Sequence, residues 1–207
     1  MPSNPENLLA AIYDNICRGL AMRAFFQCQS ERHEEISSKM GKRGYVHVYN
    51  LLTSSLQTEL LLCLTRIWDK SSDAQSFINL KMSVDWDRLE LPIVNDRWEQ
   101  ERRAAREEFE AHVDAFPKSD QFKALLVSRA EGFAHSVPVS RERQGMTEPR
   151  PAQFRDLYDV LDRSVEVYNK FDLAHNSNTT AFEFLEQEFS GFSKVFFDHV
   201  PDLQSKN

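Results

Sequence analysis

Apolar residues recur at every third or fourth position along most of this chain, and that spacing restricts the fold more than any other feature. The clearest run lies between about Tyr45 and Asp69. Its members are Tyr49, Leu52, Leu56, Leu60, Cys63, Leu64 and Ile67. Such a period turns one face of an α-helix toward a core, and no segment convincingly shows the alternation that a half-buried strand requires. We therefore predict an all-α fold, a bundle of long antiparallel helices with shorter flanking helices.

Capping residues and prolines place the ends of these helices. The first two expected helices are 4–30 and 45–69, and Ser71-Ser72-Asp73 caps a third that runs through Met82. The fourth is 95–116, and the fifth is capped by Ser119 or Asp120 and ends near Gly132. The sixth runs from about Ala152 to 175, and the seventh is capped by Thr179 or Thr180 and runs through Phe197. We expect a single domain over 1–207. Its core spans about 45–175, with the N-terminal and C-terminal helices packed on it.

Charge and cysteine content restrict the environment. A net charge of −7 argues against a surface that coats nucleic acid broadly, although it leaves room for a local basic site. No apolar run is long enough to span a bilayer, and the first residues lack the features of a signal peptide. The three cysteines lie in apolar helical patterns. We therefore expect reduced thiols in a cytoplasmic protein that contacts no membrane.

The end of the fifth expected helix combines two chemistries that suit a phosphodiester. Arg129 is a permanent cation whose fork fits phosphate oxygens. His135, six positions later, can give or take a proton near neutral pH. An ordinary helix end offers the other interpretation, in which the Arg pairs with an acid and the His caps the last carbonyls.

The segment that follows is a basic, proline-containing loop from 136 to 151. Arg141, Arg143 and Arg150 lie in or beside it and are candidates for tracking an RNA backbone. A solvated loop is the simpler explanation of each of them taken singly. The chain has no glycine-rich phosphate loop and no metal-ligand cysteine pair, so we predict neither a cofactor nor a bound metal. Trp68, Trp86 and Trp98 are expected in a core or an interface rather than stacked on bases.

Two stretches, in order, resemble a known group of proteins. One runs from Leu61 to Lys70, with Arg66, Trp68 and Asp69 near its end, and continues into a serine-led short helix at 76–80. The other is Arg129 through His135, with Ala134 before the histidine. Together they resemble the HEPN superfamily of all-helical domains, often ribonucleases of prokaryotic defence, and within it the abortive-infection AbiU-type branch.

The resemblance implies a metal-independent endoribonuclease of defence or toxin type, in which a homodimer brings two Arg129 and two His135 together. It implies RNA as the substrate and raises an antitoxin protein as a further partner. Asp69, Glu131 and Ser136 are the expected supporting residues. HEPN nucleases usually carry a polar residue directly after the motif Arg, where this chain has Ala130. The alternative is therefore a catalytically silent HEPN module that binds RNA, a nucleotide or a partner protein.

Overall fold

The computed structural model describes residues 4–39, 43–88, 95–133 and 150–199. Over these ranges the chain forms only α-helices and two short 3₁₀ turns, with no strand, so the predicted all-α fold is confirmed. The α-helices are α1 (Pro5–Glu31), α2 (His33–Lys39), α3 (Arg43–Ile67), α4 (Phe77–Ser83), α5 (Asp96–Ala115), α6 (Asp120–Phe133), α7 (Phe154–Asn176) and α8 (Phe182–Asp198). None of the helices in the described ranges combines the length and the apolar character needed to cross a bilayer.

Two predicted helix starts are wrong. The short helix α4 begins at Phe77 with Ser76 as its N-cap, as the resemblance implied, rather than after Ser71–Asp73, as the capping pattern predicted. Thr180 does not cap α8, whose N-cap position is Ala181 without a side-chain hydrogen bond, and the Thr180 hydroxyl instead donates to a carboxylate oxygen of Asp172 on α7 at 3.3 Å. Polar residues beside a helix can bond to a neighbouring element instead of the helix end, and sequence spacing does not reveal which partner they take.

The chain divides into two compact units. The first unit comprises Met1–Ile16 and Leu61–Thr180, and the second comprises Cys17–Leu60 and Ala181–Asn207. Helices α1 and α3 each contribute residues to both units. The assignment of 1–207 to one domain stays a prediction.

Trp68 lies at the centre of the core of the first unit, as the sequence predicts. Its side chain is fully buried, with ring centroids 5.0 Å from Phe77 and 4.5 Å from Phe116. Its indole N–H donates to the Ser164 hydroxyl on α7 at 2.9 Å, and that hydroxyl donates to the Val160 carbonyl at 2.8 Å. Around this tryptophan α5 and α6 both pack against α7, so the end of α3 is tied to the longest helix that lies wholly within this unit.

The second unit combines the later part of α1 and the earlier part of α3 with α2 and α8. Cys28, Ile36 and Phe197 form a buried cluster. The Arg23 guanidinium, itself almost buried, pairs with Glu186 of α8 at 2.8 Å. A buried apolar cluster and a sheltered ion pair therefore hold α8 in this unit.

Part of the apolar stripe of α3 is not covered by the residues that the structure describes. Leu52 belongs to the predicted core stripe, yet its side chain is exposed. Val48 and Leu51, near it on α3, are exposed as well. The prediction that the whole stripe faces a core is therefore wrong at this end of α3, since periodicity identifies an apolar face without identifying what covers it.

Candidate functional site

Arg129 lies one turn before the end of α6, where the helix emerges from the core of the first unit. The preceding turns bury Phe122, Leu125 and Val127. The Ser119 hydroxyl starts the helix by accepting from the N–H of Phe122 at 3.2 Å. The Arg129 side chain keeps 43% of its surface exposed. A buried helix therefore presents a solvent-accessible guanidinium at its end.

Asp69 is the carboxylate that faces Arg129. Its Oδ2 lies 3.7 Å from Arg129 Nη1. Its Oδ1 accepts hydrogen bonds from the backbone N–H and the hydroxyl of Ser71 at 2.9 and 2.7 Å. Burial raises the pKa of Asp69, but the two Ser71 hydrogen bonds and the Arg129 charge outweigh it, so the pKa lies below its ordinary value. Asp69 is thus a fixed anion beside the candidate phosphate-binding group.

Asn79 anchors the turn that holds this carboxylate. The Asn79 side chain is buried in the first unit, and its Nδ2 donates to the carbonyls of Ser71 and Ala74 at 2.8 and 2.6 Å. The turn therefore keeps Ser71 in place, and Ser71 keeps Asp69 in place. Sequence reasoning missed Asn79. Its one signal is an amide between two apolar residues, Ile78 and Leu80, where an unpaired amide would be costly to bury.

A second anchor joins the end of α6 to the start of α7. The Ser128 hydroxyl accepts from the N–H of Ala152 at 2.7 Å. Beside it the Arg150 guanidinium makes a two-pronged contact with Asp156, at 2.5 and 2.7 Å. Asp156 also accepts from the N–H of Gln153 at 2.7 Å. Arg150, a predicted RNA-binding residue, therefore has its charge matched by a carboxylate within the protein.

Asp156 gives a prediction with a defined pH dependence. The Arg150 hydrogen bonds hold its pKa below the ordinary value despite burial. Asp156→Asn is expected to lower the free energy of unfolding by about 1–3 kcal/mol at pH 7. The contribution is complete above the unfolded pKa, near 3.9, and is lost as pH falls through the lower folded pKa. Urea unfolding of both proteins from pH 7 to pH 3 measures the difference.

Asp159→Asn is the matched control on α7. Asp159 is half-exposed and lies 3.9 Å from Arg155, so its replacement should cost less than about 0.5 kcal/mol. A difference between wild type and Asp156→Asn that stays constant down to pH 3 would contradict the assigned ion pair.

The other predicted site residues lie outside the described residues or lack a described side chain. His135, Ser136, Arg141 and Arg143 fall in the first category. Glu131 contributes its backbone to α6, and its side chain is not described. The structure thus brings together Arg129 and Asp69, whereas the pairing of Arg129 with His135 stays a prediction.

A polar groove along α5 and α7 was not predicted. It has a volume of about 570 Å³ and is lined by His112, Asp159, Asp162, Arg163 and Glu166 among others. Glu166 lies 2.8 Å from the Arg163 guanidinium and 3.4 Å from His112 Nε2. Three carboxylates against one guanidinium oppose an RNA phosphate, so this groove is a poor site for RNA. In the described part of the chain no group of three or more His, Cys, Asp or Glu is arranged to hold a metal ion.

Comparison with known protein families identifies the family of this chain, which the geometry of the site does not. The family model HEPN_AbiU2, described as AbiU2, matches residues 6–196. The chain belongs to the AbiU2 family of HEPN proteins. The two stretches that carry the resemblance, at 61–80 and 129–135, thus lie in one match that runs from α1 into α8 of this AbiU2 protein. No curated protein and no solved structure matches it significantly.

Proposed function

We propose that this AbiU2-family protein is a metal-independent endoribonuclease of prokaryotic defence or toxin type, which cleaves RNA as a homodimer. The observation that carries the proposal is the Arg129 guanidinium, exposed at the end of a buried helix and six positions before His135. An arginine held in this way is suited to binding a phosphate.

The contact with Asp69 leaves Arg129 the capacity to bind an anion. At 3.7 Å between Nη1 and Oδ2 it is an ion pair without a short hydrogen bond. Among the described residues, the Asp156 contact with Arg150 is much tighter. Asp69 therefore orients the guanidinium, and the remaining N–H groups of the fork can meet phosphate oxygens.

The reaction assigns a task to each motif residue. A base takes the proton of the RNA 2′-hydroxyl, and the 2′-oxygen attacks phosphorus. The bond from phosphorus to the 5′-oxygen breaks, and an acid gives that oxygen a proton. His135 is the proton-transfer group, and Arg129 stabilises the charge on the phosphate. One His cannot be base and acid at once, so the two-fold axis of a homodimer supplies the second. The products are a 2′,3′-cyclic phosphate and a 5′-hydroxyl.

We propose that arginines of the loop from 136 to 151 contact the RNA backbone as well. Arg141 and Arg143 are the stronger candidates for backbone contacts, because the fork of Arg150 is already occupied by Asp156. An antitoxin protein is the further proposed partner, since an uncontrolled ribonuclease would damage its own cell.

A catalytically silent module that binds RNA, a nucleotide or a protein is the second candidate. Ala130 favours it, because the polar residue usual after the motif Arg in HEPN nucleases is missing. Asp69 favours it as well, since its carboxylate offsets the Arg129 charge. In this case Arg129 binds an anion and no bond is broken.

Incubation of the full-length protein with total RNA and with a tRNA pool in excess EDTA distinguishes the two candidates. The proposed enzyme is expected to cut RNA and to leave 2′,3′-cyclic phosphate ends, while His135→Ala leaves the RNA intact. His199→Ala is the matched control, because His199 lies after α8 with its ring nitrogen 2.8 Å from the Val195 carbonyl, and it should cut like wild type. RNA that stays whole with a folded wild-type protein points to the silent module.

A further inference from the structure

The residues just before α7 are held on its first turn by Asp156. This carboxylate is buried, with 4% of the residue exposed. It accepts two hydrogen bonds from the Arg150 guanidinium, at 2.5 and 2.7 Å, and one from the N–H of Gln153 at 2.7 Å. The same guanidinium donates to the Pro151 carbonyl at 3.2 Å. Because a buried carboxylate that loses its partners is costly, residues 150–153 have one defined position on α7.

Ala152, in the middle of this segment, contacts α6. Its N–H donates to the Ser128 hydroxyl at 2.7 Å, although the two residues are 24 positions apart in the chain. Ser128 directly precedes Arg129. A continuous series of contacts therefore runs from the carboxylate of Asp156 to the residue beside Arg129.

The turn of α6 that carries Arg129 lies close to the end of the helix. The helix ends at Phe133 and includes Gly132 in its last turn. The last carbonyls of a helix have no partner within it, and glycine lowers helix stability, so the position of such a turn depends on contacts with other elements. Asp69 contacts the guanidinium at 3.7 Å from the end of α3, and Ala152 contacts the adjacent residue from the start of α7.

The direction of a phosphate-binding guanidinium matters as much as its charge. A displacement of about 1 Å at a reacting group can cost about 100-fold in rate, even when the change that causes it lies far from the chemistry. We propose that Asp156 and Ser128 are positioning residues of the candidate site, which hold the α6 turn in place so that Arg129 points at the phosphate. Arg150 is then the partner that fixes Asp156, and not a contact to RNA.

Arg129 is the phosphate-binding group only under the proposed function, on which this inference rests. Two separate measurements keep the ribonuclease and the positioning distinguishable. One is the kinetics of RNA cleavage, and the other is the NMR signal of the Arg129 side chain, which does not require that any RNA is cut.

Cleavage kinetics of the full-length protein are measured at a temperature where circular dichroism shows every variant folded. Ser128→Ala and Asp156→Asn are each expected to lower kcat about tenfold with KM within about twofold of wild type, because Arg129 keeps its charge and loses its direction. Arg150→Gln should show the same pattern. The Arg150→Gln/Asp156→Asn double variant should lose no more than the larger single loss, since both changes break one contact. Asp159→Asn is the matched control on α7 and should cut like wild type.

The second measurement uses protein labelled with 15N-arginine. The Nε–Hε signal of Arg129 is assigned by its loss in Arg129→Ala. It is expected to shift in Asp156→Asn, which changes the far end of the series of contacts, and to stay in place in Asp159→Asn.

Each result either supports or overturns the positioning. Variants Ser128→Ala and Asp156→Asn that are less stable but keep kcat within about twofold of wild type have a purely structural role, and this overturns it. An Arg150→Gln variant that raises KM while Asp156→Asn does not makes Arg150 an RNA contact, and this overturns it too. A wild type that leaves RNA whole, with an Arg129 signal that shifts in Asp156→Asn, supports the positioning of Arg129 and removes the ribonuclease.

Discussion

Replacing Arg129 by alanine is expected to lower the rate of RNA cleavage by about 10²–10³-fold, because removing one preorganised donor to a charged transition state usually costs that much. The guanidinium is exposed and its partner Asp69 lies at 3.7 Å, so the fold should survive the substitution. Single-turnover cleavage of a labelled RNA by Arg129→Ala and wild type, with circular dichroism to verify folding, measures the effect.

Two further variants show how Arg129 acts. Arg129→Lys keeps the charge and loses the fork, so we expect an intermediate loss of about 10–100-fold. Asp69→Asn keeps the shape and loses the charge that orients the guanidinium, and a loss of about tenfold in kcat is expected with KM little changed. Arg97→Ala is the matched surface control, since Arg97 is 88% exposed. Cleavage by Arg129→Ala within tenfold of wild type would remove this residue from the site.

Replacing Trp68 by alanine is expected to lower the free energy of unfolding by about 3–5 kcal/mol, the usual cost of removing a large aromatic side chain from a core. Trp68 is fully buried among Phe77, Phe116 and Phe122. Its loss also leaves the Ser164 hydroxyl without the indole donor. Urea unfolding monitored by circular dichroism measures the change in the free energy of unfolding. A loosened core would also reduce the dependence of that free energy on urea concentration.

Trp68→Phe separates packing from hydrogen bonding. It retains most of the ring contacts and loses the 2.9 Å bond to Ser164, so about 1–2 kcal/mol is expected. Because Trp68 directly precedes Asp69, Trp68→Ala should also disturb the Asp69–Arg129 pair and reduce RNA cleavage in the fraction that stays folded. A loss of less than about 1 kcal/mol for Trp68→Ala would show that this residue does not hold α3 to α7.

The helical fold was predictable because hydrophobic periodicity and capping are local properties. The stripe from Leu60 to Ile67 is buried as expected, and α5 begins where Asn95 accepts from the N–H of Trp98 at 2.9 Å. The wrong starts at α4 and α8 have different causes. Ser71 donates to Asp69, two residues before it, in a local turn, whereas Thr180 donates to Asp172 on α7.

The family, and Arg129 as a candidate site residue, were likewise predictable from the sequence alone. A motif of a few residues in a fixed order can be identified without knowing which segments lie close in space. Only the tertiary structure decided that Asp69 faces Arg129, that Asn79 fixes the turn at 71–74 that follows Asp69, and that Asp156 binds the Arg150 guanidinium. It also decided that Leu51 and Phe192 stay exposed rather than reaching a core. The physical reason is that side-chain contacts and burial depend on how helices and turns lie in space, whereas helix periodicity depends only on residues within a few turns.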